Sequence, residues 1–281
     1  AFTFQLQSLF DARIPGVPHF VYTDHTHLAN LYYEDGDWKW LASQTWIDLE
    51  RHIYQNADLI FTRSSNITQS LLEQYQQPEE KIRCVFVGSN VPSIGPADDP
   101  DRYQRQEILF VGTDWERKGG PELLTAFQAL HGEHPQARLT IVGCSPQVQG
   151  ENLNLVGKIT PEELPSYYQR ASIFSLPTHW EPFGVVFVEA LSFGLPIIAT
   201  RTGAIPDLVR EGKNGFLVPP GNPDSLRSAL SILLENPYLR EKMGRAGRAL
   251  AREKYNWEKV GKKIRQAVLQ RIRGSKKKIG P

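Results

Sequence analysis

Two carboxylates stand eight positions apart in His179-Trp180-Glu181-Pro182-Phe183-Gly184-Val185-Val186-Phe187-Val188-Glu189-Ala190, one on a turn and one inside a helical pattern. Groups spaced in this way can accept hydrogen bonds from hydroxyls at two ends of an extended polyol. The run follows a strand pattern that ends at Pro177, and the next helix is expected to begin near Phe183 or Gly184. A helix start presents amides that lack intrahelical partners, so Phe183, Gly184 and Val185 suit an anion or sugar hydroxyls. Gly184 has no Cβ to hold a ligand away from the backbone. A plainer reading makes Glu181 a surface residue and Glu189 a carboxylate favoured by the helix dipole. Spacing alone leaves both open.

A second run, Phe110-Val111-Gly112-Thr113-Asp114-Trp115-Glu116-Arg117-Lys118-Gly119-Gly120, carries a strand into a glycine-containing loop before a helix expected at about Pro121. Backbone amides, a helix start and the cations Arg117 and Lys118 together make a phosphate site. The run is neither a Gly-x4-Gly-Lys-Ser/Thr phosphate loop nor a Gly-x-Gly-x-x-Gly dinucleotide fingerprint. A basic loop of this kind can also be merely solvated. Asp24, His25 and His27 follow a strand in Thr23-Asp24-His25-Thr26-His27, but with no third distant ligand cluster they are not expected to hold a metal.

Short β-branched runs alternating with helical patterns must position these residues, the signature of βαβ units around parallel sheets. In the first part His19 to Thr23, Leu59 to Thr62 and Ile82 to Val87 read as strands. Helices are expected from about Trp38 to Gln55 and from Ser64 or Ser65 to about Tyr75. Proline-rich, acidic Pro92 to Tyr103 has no periodicity and reads as the linker. Six strand candidates follow, at 107–112, 138–143, 153–156, 172–177, 196–199 and 215–218. Thr160-Pro161-Glu162-Glu163 has the chemistry of a helix start, and closing helices are expected over 223–235, 238–254 and 257–272. In the last of these, Trp257, Val260, Ile264, Val268 and Ile272 form one apolar stripe.

The 281 residues, 40% hydrophobic and 22% charged, exclude a disordered chain and suggest about two domains at roughly 150 residues each. No apolar run reaches the roughly 18 residues of a membrane-spanning helix, and the first residues do not read as a signal peptide. Cys84 and Cys144 are too few and too far apart for a disulfide framework or a zinc site, which fits a reducing cytoplasm. The net charge of +1 hides an asymmetry: from Leu239 onward fifteen Lys and Arg face three Asp and Glu. Such a tail suggests an anionic surface, membrane or nucleic acid, unless it is only a solvated helix face.

Taken together, the two loops and their surroundings resemble the retaining glycosyltransferases of family 4, which have the GT-B fold. The family's paired glutamates match Glu181 and Glu189, with Phe183-Gly184 after the first and Ala190 after the second. Lys118-Gly119, Ile141-Val142-Gly143, Gly157, Leu176-Pro177, Gly194-Leu195-Pro196, Gly203 and Asn214-Gly215-Phe216-Leu217-Val218 match as well, so the resemblance covers about residues 82 to 260. It implies an α/β chain of two Rossmann-like domains. A first domain over 1–95 is followed by a linker over 96–104 and a donor domain over 105–256. A helix and basic tail over 257–281 cross back to the first domain. About 100 residues are too few for a whole first domain, so its sheet is expected to be incomplete.

The same resemblance assigns roles. Glu189 is expected to bind the ribose of a sugar nucleotide. Glu181, with the amides of Phe183 and Gly184, would face the transferred sugar, with Val185 near the phosphates and Lys118 on the diphosphate. Gly112 and Thr113 lie in the phosphate loop, Lys158 and Ile159 lie by the base, and His25 lies against donor sugar and acceptor. Gly88 and Asn90 stand where the family has a short glycine loop, or serve packing only. One departure is Thr113, where the family has Arg; Arg117 is expected to supply that cation. The activity implied is metal-independent transfer, with retention, of a hexose from a nucleoside-diphosphate sugar to an acceptor hydroxyl, without a cofactor. The expected partners are that donor and a sugar, lipid or other hydroxyl acceptor, with an anionic membrane surface as a further candidate and no nucleic acid. The expected place is the cytoplasm, with peripheral attachment to the inner membrane face as a candidate. The competing readings are a non-catalytic sugar-nucleotide-binding protein and, behind it, a nucleic-acid-binding module using the basic tail.

Overall fold

Ten short strands and nine α-helices are assigned in a computed structural model that describes residues 1–33, 41, 43–91 and 99–277. The chain divides into two compact units, Ala1–Gly88 with Asn256 onward, and Ser89–Tyr255. Each is an α/β unit with a parallel sheet.

The first unit's sheet has the order β1 (Thr3–Leu6), β2 (His19–Thr23), β3 (Leu59–Thr62), β4 (Ile82–Cys84), all parallel. Strands β2 and β3 are buried along their whole length, as continuous apolar runs covered on both faces should be. On one face Val21 and Ile60 pack with Ile53 and Tyr54 of α1 (Gln44–Asn56) and Ile67 and Leu71 of α2 (Ser65–Glu73). Ser43 and Ser64 cap these helices, accepting from the amides of Trp46 and Ile67. On the other face Phe20, Tyr22, Leu59, Phe61 and Val85 meet Val260 and Val268 of the final helix, flanked by Ile264 and Ile272. Four residues of the expected apolar stripe, Val260, Ile264, Val268 and Ile272, thus pack on the first sheet, whereas Trp257 at the helix start is 43% exposed. Gly88 serves packing too, since a Cβ there would lie 2.5 Å from the amide nitrogen of Trp257.

Several boundaries differ from the sequence expectations. Strand β1 was not expected; it is an edge strand whose Phe4 and Leu6 remain partly exposed, so it lacks the buried run that marks β2. Strand β4 stops at Cys84 rather than Val87 because Phe86 adopts a left-handed backbone, φ 66°, which ends the pairing. The helix expected from about Trp38 begins at Gln44, and Trp38–Trp40 and Ala42 lie outside the described residues. The second helix ends at Glu73.

In the second unit the sheet order is β10-β9-β8-β5-β6-β7, again all parallel. The strands are β5 (Glu107–Val111), β6 (Arg138–Val142), β7 (Leu153–Gly157), β8 (Ile173–Leu176), β9 (Ile197–Thr200) and β10 (Gly215–Val218), each within a residue or so of its expected span. Around them run α3 (Gly120–Leu130), α4 (Leu164–Arg170), α5 (Val185–Ser192), α6 (Ile205–Leu208), α7 (Pro223–Glu235) and α8 (Pro237–Lys254), and the chain returns to the first unit in α9 (Trp257–Lys277). Asn222 and Asn236, each followed by Pro, cap α7 and α8. Helix α4 starts at Leu164, not directly after Thr160, although the Thr160 amide still donates to the Glu163 carboxylate at 2.8 Å. Of the expected linker, residues 96–98 lie outside the described residues. Its remainder forms a short 3-10 turn, Pro100–Gln104, in which buried Arg102 donates to the carbonyls of Phe193 (2.7 Å) and Gly194 (2.9 Å). Of the basic tail, residues 278–281 lie outside the described residues.

Candidate active site at the strand-order switch

Strands β5 and β8 are neighbours, yet β6 and β7 extend to one side of the pair and β9 and β10 to the other. Open α/β sheets bind ligands in the crevice at the carboxyl ends of strands where the order reverses in this way. The two runs singled out by sequence leave the sheet at this place. Residues 112–119 follow β5 and residues 177–184 follow β8.

Hydrogen bonds join the two loops. The carbonyl of Arg117 accepts from the His179 amide (3.0 Å) and from Thr178 Oγ1 (3.1 Å). Gly119 adopts φ 71°, and a Cβ on it would run into the Pro177 carbonyl, so only glycine allows the loops this close. Lys118 passes across Gly112, where an added Cβ would sit 3.1 Å from its Cγ, and its ammonium donates to a carboxylate oxygen of Glu181. Both partners are buried, with 11% and 8% of their side chains exposed. An ammonium has three N–H donors, so two remain beyond the one given to Glu181.

Arg117 is held beside this pair. Its Nε donates to Asp114 (3.1 Å), its Nη1 donates to the Trp180 carbonyl (3.2 Å), and its guanidinium lies 4.5 Å from the centre of the Trp180 ring. Part of its charge therefore goes to Asp114. Thr113 is exposed on the loop. Helix α5 begins at Val185, one or two residues later than expected, because Gly184 is its N-cap in a left-handed conformation, φ 78°. A Cβ on Gly184 would meet Phe187 Cδ2 at 2.6 Å and Glu181 Cγ at 3.0 Å, so this glycine gives Glu181 its room. Phe183 is buried behind the turn.

Glu189 lies farther along α5, 5% exposed, and its Oε2 accepts from the hydroxyl of buried Tyr168 at 2.9 Å. Burial pushes its carboxyl above the usual range, and the Tyr168 hydrogen bond opposes that shift. Lys158 and Ile159 follow β7, two strands away from β5 on its β6 side. Next to them an open cavity of about 460 Å³ is lined by residues 145–149 and 155–157. The structure thus gathers Gly112, Arg117, Lys118, Glu181, Phe183, Gly184 and Val185 at one switch point, with Glu189 on the adjoining helix. Sequence reasoning missed Tyr168, Trp180 and Thr178. An aromatic ahead of a strand and polar groups on a turn carry no pattern that names their partners.

His25 belongs to the first unit. Its carbonyl accepts from Thr23 Oγ1 (2.6 Å), and its Nδ1 is buried without a hydrogen-bond partner among the described residues. Burial lowers its pKa, while the charges of Glu50 and Asp24 raise it and that of His27 lowers it. The loop is tied down by Glu50, a carboxylate 2% exposed that accepts from the His27 amide (2.9 Å), Ser8 Oγ (2.7 Å) and the hydroxyls of Tyr54 and Tyr75. Among the described residues no cluster of three or more His, Cys, Asp or Glu could hold a metal ion.

Comparison with known proteins identifies the family and the fold. The family model described as glycosyl transferases group 1 matches residues 96–250. Sulfoquinovosyl transferase SQD2 of Arabidopsis thaliana is 29% identical over 274 residues, covering 90% of this chain and 52% of that protein. D-inositol 3-phosphate glycosyltransferase of Corynebacterium jeikeium is 32% identical over 268 residues, covering 85% of this chain and 63% of the other. The chain therefore spans less than two thirds of the length of these relatives. Among solved structures, sucrose-phosphate synthase from Thermosynechococcus elongatus superposes with a TM-score of 0.75 at 24% identity, covering 92% of this chain and 69% of that one. Anabaena HepE in complex with UDP-glucose gives 0.70 at 19%, covering 90% and 72%. These likenesses establish a GT-B type α/β fold. The matched segment runs through both loops and α5, and the chain belongs to the glycosyl transferases group 1 family.

Proposed function

We propose that the chain acts in a metal-independent transferase that moves a hexose, with retention, from a nucleoside-diphosphate sugar to an acceptor hydroxyl. The observation that carries this reading is the buried Lys118–Glu181 pair at the strand-order switch, beside the first turn of α5. Charge that develops on a departing diphosphate meets the remaining donors of Lys118, the guanidinium of Arg117 and the helix start after Gly184. Glu181 and the neighbouring amides hold sugar hydroxyls, and Glu189 holds the ribose. In the transfer the bond from the sugar C1 to the diphosphate oxygen breaks. The acceptor oxygen forms the new bond on the same face, and the acceptor proton passes to the diphosphate. Holding acceptor and donor in place supplies much of the rate in such a step, and His25 is assigned to that side.

The names of relatives support the donor class, since HepE was solved with UDP and glucose and SQD2 is named for sugar transfer. The test begins with thermal-shift and calorimetric screening of UDP, GDP and ADP and their glucose conjugates. It continues with donor turnover in the presence of excess EDTA and assignment of the product anomer by NMR. Turnover with retained configuration in EDTA is expected. Binding without hydrolysis or transfer would instead favour a sugar-nucleotide-binding protein, and an inverted product would remove the same-face step. We further propose peripheral attachment to an anionic membrane through α9, whose Lys259, Lys262, Lys263, Arg265, Arg271 and Arg273 are exposed. No helix among the described residues is long and apolar enough to cross a membrane.

A further inference from the structure

Tyr168 enters no part of the chemistry above, yet among the described residues its hydroxyl donates to the Glu189 side chain at 2.9 Å. Helix α4 carries it into the interior, where its ring stacks on Phe193 (centroids 5.3 Å, interplanar angle 19°) and lies 6.1 Å from Phe174. Phe193 is fixed from behind, because its carbonyl accepts from buried Arg102. The ring is thus clamped and its hydroxyl has two acceptors in reach, Glu189 Oε2 at 2.9 Å and the Val186 carbonyl at 3.4 Å. The shorter contact goes to the carboxylate. A phenol has one hydrogen to give, and an ionised carboxylate has about four lone-pair sites, so Oε1 and part of Oε2 stay available.

We propose that Tyr168 is the positioning residue of the donor site. Its hydroxyl holds one oxygen of Glu189 so that the rest of the carboxylate faces the vicinal diol of a nucleoside's ribose. This rests on the proposed reading of Glu189 as the ribose acceptor. The alternative is that a buried tyrosine merely satisfies its hydroxyl on the nearest acceptor, and the two differ in what happens when the hydroxyl alone is removed. The bond to Tyr168 also opposes the upward push of burial on the Glu189 pKa, so without it the acceptor form is harder to keep.

The experiment is calorimetric titration of the full chain and of Tyr168→Phe with UDP, GDP and ADP, each beside its 2′,3′-dideoxy counterpart. The wild type is expected to prefer the diol form of the bound nucleotide at least tenfold. Tyr168→Phe keeps the ring stack, and it is expected to cut that preference to about twofold while the dideoxy affinity stays where it was. A purely structural role would weaken both ligands alike. Phe193→Leu loosens the ring without removing the hydroxyl and should lower the preference part of the way, which covers the case of a Phe variant that does not fold. A wild type that does not distinguish diol from dideoxy would overturn the ribose reading itself. A wild type that does, with a Tyr168→Phe variant that distinguishes them equally well, would overturn the positioning role alone.

Discussion

Removing the Lys118 ammonium separates two consequences that the structure ties together. In Lys118→Met the chain keeps a side chain of similar length in the space over Gly112, but Glu181 is left with a buried carboxylate and no cation against it. Breaking a buried ion pair on one side costs about 3–5 kcal/mol, because the remaining charge has lost its water without compensation. For a domain of this size each kcal/mol moves the melting temperature by about 2–4 °C, so the transition of the second unit should fall by about 6–20 °C. Lys118→Met/Glu181→Leu removes both charges and should recover most of that loss, since an apolar pair of similar volume replaces a desolvated one.

Diphosphate binding should not recover with stability. If Lys118 meets the diphosphate, the single and the double variant both lose UDP affinity in calorimetry, by about 1.5–3 kcal/mol for a charged hydrogen bond. Calorimetry of the double variant thus separates chemistry from folding. Wild-type affinity in it would remove Lys118 from the phosphate site. A single variant as stable as the wild type would instead refute the claim that Glu181 depends on its partner.

Four further outcomes follow from other parts of the chain. Thr113→Arg should raise diphosphate affinity, because Arg117 shares its charge with Asp114 at 3.1 Å; unchanged titrations of a stable protein would sink the account of the missing cation. Glu189→Gln should stabilise the unliganded protein at neutral pH. A carboxyl whose folded pKa lies above the ordinary value binds more protons folded than unfolded, so its ionisation lowers stability as pH rises through that window. The advantage of Gln should therefore shrink as pH falls toward and below 4.5, and urea titrations showing a pH-independent difference would contradict it. Binding to anionic vesicles should be salt-sensitive and should weaken when 274–281 are deleted, at about 1 kcal/mol per cation near the surface, without unfolding. Deletion from Trp257 should lower the melting temperature by uncovering Phe20, Tyr22 and Phe61. Co-sedimentation indifferent to lipid charge and salt would remove the membrane part, and an unchanged melting temperature the packing part.

Complete burial made β8 and β9 legible as continuous apolar runs, each bounded on one side by Pro. Turn chemistry placed the less buried strands, since β10 is half-buried in its middle and β7 is largely exposed, yet both lie close to where the pattern put them. The edge strand β1 escaped because its period-2 pattern is diluted by partial exposure, and β4 was overextended because the left-handed turn at Phe86 leaves no mark in hydrophobicity. Glycine spacing was informative where conformation demanded it. Gly119 and Gly184 both sit at positive φ at loop ends that place Lys118 and Glu181.

The site's residues were readable as types and not as pairs. Lys118 and Glu181 are 63 positions apart, and what joins them is the order of the sheet, which sets β5 beside β8. Helix α4 brings Tyr168 to Glu189 across 21 positions in the same way, and α1 brings Glu50 to Ser8 across 42. Each of these carboxylates is buried, and a buried carboxylate must find donors to offset its lost hydration. The sequence can therefore say that partners exist for Glu50, Glu181 and Glu189 once burial is granted, but only the topology names them. That asymmetry also separates the glutamates by chemistry. Glu181 has a cation that a phosphate can share, whereas Glu189 has a neutral phenol that leaves the carboxylate's charge in place for hydroxyls. Exchanging their partners, by Tyr168→Lys with Lys118→Tyr, would leave the same residue types in the second unit with neither proposed role filled.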